Sequence, residues 1–197
     1  GQFSFEEDDF LRNFIFGRLW FSVGRMSAKY ALQFWDSQNR YIRIQELNLS
    51  PEKERELQMI LERDWLPENR VYLYDHYYDN CATRERDILN HIVDGQLREE
   101  YNRPSRYTLR DLTRQYTYFH PLGQFVLMIA QGRTIDRPIT LYDEMFLPSK
   151  IEHYIASFQY RNDEGESVPL VKRTSLYARA PERTEAIDNP PSPLVYI

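Results

Sequence analysis

The chain has a single cysteine, Cys81, among its 197 residues. No disulfide can form within it, so packing and polar pairing must hold the fold. Glycine is scarce, at seven residues, and none of it forms a phosphate-cradling loop. A G-x-S-x-G elbow is missing, as are HExxH, CxxC and any His/Cys/Asp cluster with metal-ligand spacing. These absences remove the serine-hydrolase and metal-centre patterns, and no cofactor is expected. No apolar run approaches the ~20 residues that a membrane-spanning helix needs. Charge of one sign is also lacking: 25 basic side chains face 30 acidic ones, a net −5. With no basic block and no basic–aromatic signature, nucleic acid is not an expected partner. No signal peptide is visible. The chain opens at GQFSF without an initiator Met, which reads as a processed or trimmed piece. The acid pairs Glu6/Glu7 and Asp8/Asp9 read as a solvated helix start rather than a glycosidase pair.

What is present is core-forming material: 42% hydrophobic and 15% aromatic residues, enough for one domain with a real interior. The strongest helix signal is SPEKERELQMILERDW. Ser50 suits the N-cap, Pro51 the first helical position, and Glu52 and Glu54 the positive end of the dipole. Leu57, Ile60 and Leu61 form its apolar stripe, and Pro67 closes it. Helices are also expected over Phe5–Leu19 (ending near Gly17), Ser27–Trp35, CATRERDILNHIVDG, TLRDLTRQY, PLGQFVLMIAQG, TLYDEMFLP and SKIEHYIASF. In the cysteine helix, which should end at Gly95, Ile88, Leu89 and Ile92 face the core. YIRIQELNL alternates as a half-buried strand, VYLYDHYY is an aromatic strand, and VPLVKRTSLYA is a strand that can pair with an earlier one. From Arg179 the chain holds four of its 11 prolines. This sets a domain over 1–177 and an extended tail or linker over 178–197. The expected fold is α+β: a small antiparallel sheet, the cysteine-bearing helix packed on it, and further helices around.

The chemistry concentrates at the strand–helix junction, DHYYDNCATRERD. Asp79 and Asn80 both suit an N-cap. With Asn80 as the cap, Cys81 lies in the first helical turn. Free N–H groups and roughly half a positive charge gather there. Such a position favours thiolate over thiol and can receive an oxyanion. The plain alternative is a small buried core residue, the commonest fate of a lone cysteine. A thiol enzyme also needs a base. Of the four histidines, His76 lies on the strand leading to Cys81, on the face of Tyr74 and Tyr78. It can approach the thiol, although a residue five places earlier need not point that way. His91 is nearly three helical turns away; His120 reads as a helix-start residue and His153 as a mid-helix one.

The segments DFLRNFIFGRLWFSV, QELNLSPEKERELQMIL, PENRVYLYDHYYDNCATRERDIL, YTLRDLTRQY and DRPITLYDEMFLP together resemble the Lnb N-terminal periplasmic domain family. The likeness runs from Gly1 to about Ala156, and PENRVYLYDHYYDNCATRERD is its most specific piece. It implies a permuted papain-like (NlpC-like) layout, with the nucleophilic cysteine starting a helix after an Asn, as Asn80–Cys81 does. It implies a periplasmic address at the outer face of the inner membrane. It also implies transfer of an acyl chain from a phospholipid donor to a lipoprotein N-terminus through a Cys81 thioester, at a membrane surface. By position Cys81 is the nucleophile. Asn80, Thr83, Arg84 and Asp87 shape the site, with Tyr78 beside them for substrate. In the family the catalytic histidine belongs to a Gly-His segment expected upstream of GQFSF, which leaves His76 as a substitute base.

Three readings follow: a thiol acyltransferase on lipoproteins, a cell-wall peptide amidase or peptidase using the same thiol, and a non-catalytic binding domain. The first two differ in their groove. Lipid needs an exposed apolar channel; peptide needs a polar cleft with charged anchors. The aromatics of Tyr72–Tyr78 and Phe14–Phe21 lean towards lipid.

Overall fold

The computed structural model describes residues 13, 19–181 and 184–192. Its strands pair in twos. β1 (Leu19–Ser22) runs antiparallel to β3 (Val71–Tyr74), with Leu19 opposite Tyr74 and Phe21 opposite Tyr72. Alternation then turns Leu19, Phe21 and Tyr72 inward and leaves Trp20 and Leu73 in solvent. β2 (Ile42–Leu47) pairs with β8 (Val171–Ala178), so VPLVKRTSLYA does join an earlier strand. Leu170 splits that segment; its front part, β7 (Ser167–Pro169), pairs instead with β6 (Gln159–Arg161). β4 (Pro104–Thr108) and β5 (Pro138–Thr140) make the fourth ladder.

Among the described residues eight α-helices are bounded, α1 (Ala28–Ser37), α2 (Pro51–Trp65), α3 (Cys81–Ile92), α4 (Gln96–Tyr101), α5 (Leu109–Thr117), α6 (Pro121–Gln131), α7 (Leu141–Glu144) and α8 (Pro148–Ser157), with a short 3-10 helix at Thr134–Asp136. The architecture is α+β with small antiparallel sheets. α2 starts as its sequence demands: the Ser50 hydroxyl accepts the Lys53 N–H and Pro51 opens the first turn. α5 and α7 repeat one device. Thr108 with Asp111, and Thr140 with Asp143, each form a reciprocal capping box.

Three expectations shift. The aromatic strand ends at Tyr74, because the Asp75 carboxylate accepts the N–H groups of Tyr77 and Tyr78 at 2.8 Å each. Asp75 N–H also bonds the Asp79 carbonyl, closing a turn over 75–79. His76 and Tyr78 therefore sit on a turn rather than on a strand. The cysteine helix ends at Ile92; Asp94 and Gly95 take left-handed backbone, and α4 restarts after the glycine. The helix expected from Phe5 lies outside the described residues except at Asn13 and at its last residue, Leu19, which begins β1. Past β8, residues 184–192 carry no helix or strand and lie against α5. The Gln115 carbonyl accepts the Ile187 N–H, and Arg114 donates to the Pro190 carbonyl.

Two apolar clusters make the interior. One joins Ala82, Leu89 and Val93 to Leu97, Met145, Ile151, Phe158 and Leu170. The other joins Tyr77 to Leu109, Leu112, Met128, Ile139 and Phe146. Each fully buried Leu or Ile contributes about 1.5–3 kcal/mol over its exposed state. Beside the first cluster lies a buried carboxylate, Glu144, 1% exposed. It accepts from Ser105 Oγ at 2.5 Å, from Tyr154 OH at 2.8 Å and from Lys150 Nζ at 2.8 Å. Three donors on one buried anion satisfy it, and removing the anion strands them. Glu144→Ala is expected to lose about 3–5 kcal/mol of unfolding free energy in a denaturant titration, and Glu144→Gln distinctly less.

Candidate functional site

The site is built from the helix cap outward. Asn80 Oδ1 accepts the Thr83 N–H at 2.8 Å, and Thr83 Oγ1 accepts the Asn80 N–H at 2.8 Å. This reciprocal box fixes the first turn of α3. The amide of Asn80 then donates to the His76 carbonyl at 2.8 Å and to the Phe146 carbonyl at 3.0 Å. Asn80 and Thr83 are both buried, whereas Cys81 is exposed with a free thiol. Cys81 therefore holds the first helical position on a cap that cannot swing. Among the described residues the N–H groups of Cys81 and Ala82 have no acceptor. Unpaired amide donors at a helix start are what an anion or oxyanion would bind.

The thiol opens onto an apolar groove of about 410 Å³. Phe21 and Val23 come from β1 and the segment after it, Leu47 from β2, and Leu57, Leu61 and Asp64 from α2. Tyr72 comes from β3, and Cys81, Arg84, Glu85, Ile88 and Leu89 from α3. The volume lies in the ~300–1,000 Å³ range of small-molecule pockets. The lining of α3 follows helical spacing: residues 81, 84/85 and 88 are one face. Val23, Leu57 and Leu61 also line an adjoining depression with Gly24, Arg25 and Trp65, so the apolar trough continues along α2.

The charged groups at the rim are arranged unequally. The Arg84 guanidinium lies 3.4 Å from the centre of the Tyr72 ring and grips Asp79 with two bonds, at 2.6 and 3.0 Å. Glu85 has no ion-pair partner among the described residues. Glu85 is exposed, and the apolar groove wall packed around it still pushes its carboxyl above the usual range by loss of hydration. The Tyr72 and Tyr74 phenols are raised first by burial; Arg84 opposes the rise in Tyr72, and negative charge on Cys81 adds to both. Tyr74 reaches about 12. Both phenols thus stay neutral around the thiol.

The expected site residues separate into groups. Cys81 and Arg84 line the groove. Asn80 and Thr83 build the cap beneath the thiol. Asp87 faces elsewhere, accepting from Arg86 and from Tyr142 OH at 2.6 Å. Tyr78 is exposed on the 75–79 turn and does not line the groove. The His76 ring meets the Tyr74 ring edge-on, with centroids 5.6 Å apart. The wall residues Phe21, Leu47, Leu57, Leu61, Glu85 and Ile88 were not singled out for the site from the sequence. The i, i+4, i+7 spacing of Cys81, Glu85 and Ile88 is the signal that marks the α3 part of that wall.

These features define an α+β domain that presents an exposed thiol, backed by a capped helix start, to an apolar groove. The chain belongs to the Lnb N-terminal periplasmic domain family, whose model matches residues 6–117 and so includes the cap, the thiol and the whole groove wall. The domain is accordingly a periplasmic one. Searches of curated proteins and of solved structures found no match. Among the described residues no helix is long and apolar enough to cross a membrane, and no group of His, Cys, Asp and Glu is arranged to hold a metal.

Asn80→Ala removes the cap and strips a donor from two carbonyls. Its expected cost is about 2–4 kcal/mol of unfolding free energy, taking the cap at ~1–2 and the two stranded acceptors for the rest. Asn80→Ser, which can still cap, should recover part of that in the same thermal or urea melts.

Proposed function

We propose that this domain is a thiol acyltransferase that takes an acyl chain from a phospholipid onto Cys81 and passes it to the amino terminus of a lipoprotein. The observation that carries the reading is the exposed Cys81 thiol at the mouth of an apolar groove. An acyl chain in that groove puts its carbonyl carbon where the thiol stands. Sγ attacks that carbon, the C–O bond to glycerol breaks, and the lysophospholipid alkoxide leaves with the thiol proton. The oxyanion formed on the way is received by the Cys81 and Ala82 N–H groups. A covalent thioester keeps the acyl group in place while one acceptor replaces another.

A permuted papain-like arrangement accords with the order of the cap, thiol and helix. His76, whose ring meets that of Tyr74, is the base this reading assigns. Work at the outer face of the inner membrane would bring donor and acceptor together. The apolar wall favours lipid over a cell-wall peptide, which would call for charged anchors along the cleft.

The test is intact-mass analysis of the domain after incubation with phospholipid vesicles. The expected result is one added acyl group, removed by hydroxylamine and abolished in Cys81→Ala. Ile88→Asp puts an uncompensated charge into the groove wall at roughly 1–3 kcal/mol, which predicts acylation slowed about ten- to hundredfold. His76→Ala should slow thioester formation as well. No acyl adduct on the wild-type chain would sink the proposal; an adduct that survives Cys81→Ala would place the chemistry elsewhere.

A further inference from the structure

Glu85 is a carboxylate with no stated task in the transfer. It stands one helical turn beyond Cys81 on the same face of α3, and both line the groove. Its neighbours there are Leu57, Leu61 and Ile88, together with the charged or titratable groups Asp64 from α2, Tyr72 from β3, and Cys81 and Arg84 from its own helix. Arg84 is the one cation among these lining residues. It is already committed, held by Asp79 on one side and laid on the Tyr72 ring on the other. The groove thus offers an apolar bed, a thiol and an uncompensated negative group within one turn of each other. An occupant complementary to that set carries an alkyl chain and a positive charge at its reactive end.

We infer that Glu85 is the acceptor-amine site: it receives the primary ammonium of an alkyl-chain-bearing acceptor and takes the proton that the amine must lose before attack. This rests on the acyl-transfer reading and adds a residue to it. The balance is complete. The C–N bond forms as the C–S bond of the Cys81 thioester breaks, and Sγ keeps the electron pair. Of the two protons shed by the ammonium, one goes to the Glu85 carboxylate and the other to Sγ, which leaves as thiol. Loss of hydration, which raises the Glu85 carboxyl, also makes it a better proton acceptor than an ordinary surface carboxylate.

Two measurements test it. In a Cys81→Ala background, dodecylamine and dodecanol differ in their charged end and share a tail. Calorimetry below the micelle threshold should show the amine binding at least about tenfold tighter, and Glu85→Gln should erase that difference. Equal preference with and without the carboxylate overturns the inference. In the Cys81 chain, wild type and Glu85→Gln are first loaded to the same thioester occupancy from a p-nitrophenyl ester, and only the following step is compared. Aminolysis of the Glu85→Gln thioester by a primary alkylamine should fall about ten- to hundredfold, with the acid limb of the pH profile lost. Unchanged aminolysis overturns it too. If the wild-type chain takes up no acyl group, the acyl-transfer reading falls, and the amine-binding experiment still decides whether Glu85 is an amine site.

A merely structural Glu85 would predict the opposite stability change. Its carboxyl is raised in the fold, so ionising it costs stability above the folded value and nothing below the ordinary carboxylate value of ~4.3. Glu85→Gln should therefore raise the melting temperature at neutral pH, and the gain should vanish as the pH falls through the carboxylate range.

Discussion

One side-chain amide holds the site together. Asn80 caps α3, closes a reciprocal box with Thr83, and donates to the carbonyls of His76 and Phe146. Those partners belong to different parts of the molecule. The first lies in the turn that follows β3, the second in the segment between α7 and α8. Tyr77 and Phe146, which flank these carbonyls, sit in one apolar cluster, while Ala82 and Met145 sit in the other. The cap therefore lies where the two clusters meet, and the direction of the first turn is tied to both. A buried amide with both donors and its oxygen engaged is a strong local constraint, because each alternative position strands a donor or acceptor. The exposure of Cys81 follows from it: the cap is buried, the next residue faces out, and Ala82 after it is buried again.

The electrostatics around the thiol follow from how its neighbours on α3 and β3 are used. Arg84 spends its guanidinium on Asp79 and the Tyr72 face, which fixes it at the rim and keeps it from neutralising Glu85. The two tyrosines of β3 are desolvated enough to remain neutral at any ordinary pH, so Tyr72 in the groove wall and Tyr74 next to it add no charge. The first-turn N–H groups supply positive potential without a titratable cation. A groove arranged this way can hold an apolar chain and still present polar contacts at one end, which is the distribution common to sites for amphiphiles.

Much of this was legible in the chain itself, and the reasons for the gaps are physical. The cap of α2 and the Asn80–Cys81 junction were readable because capping chemistry is local, confined to about four residues. The end of the aromatic strand was not. VYLYDHYY alternates well enough, yet Asp75 turns the backbone by accepting two N–H groups, and a side-chain acceptor outcompetes strand propensity. β4, β5, β6 and the early part of VPLVKRTSLYA are three to five residues each, too short for periodicity to mark them. β1 was masked by its own composition, since LWFS continues an apolar run that reads as helix. The groove was the least legible feature. Its walls come from residues 21, 47, 57, 72 and 81–89, and only the α3 portion has a spacing that a linear reading can see.

That dispersion has a consequence for how the site is kept. β1 reaches the groove by pairing with β3 some fifty positions later, and β2 by pairing with β8 more than a hundred positions later. Neither ladder is a local hairpin, so each must overcome a loop-closure cost before it gains any bond. The helix cap can form early and alone, whereas the apolar wall exists only once the long-range ladders close. Substitutions in β2 or β8, far from Cys81 in sequence, should therefore act on the groove through Leu47, while the capped thiol itself is left standing. The open apolar trough and the ionised Glu85, whose carboxyl is raised in the fold, both cost folding free energy. The buried Glu144 network and the two clusters supply what offsets them. A domain selected for stability alone would fill the trough and pair the carboxylate; this one keeps both beside a free thiol.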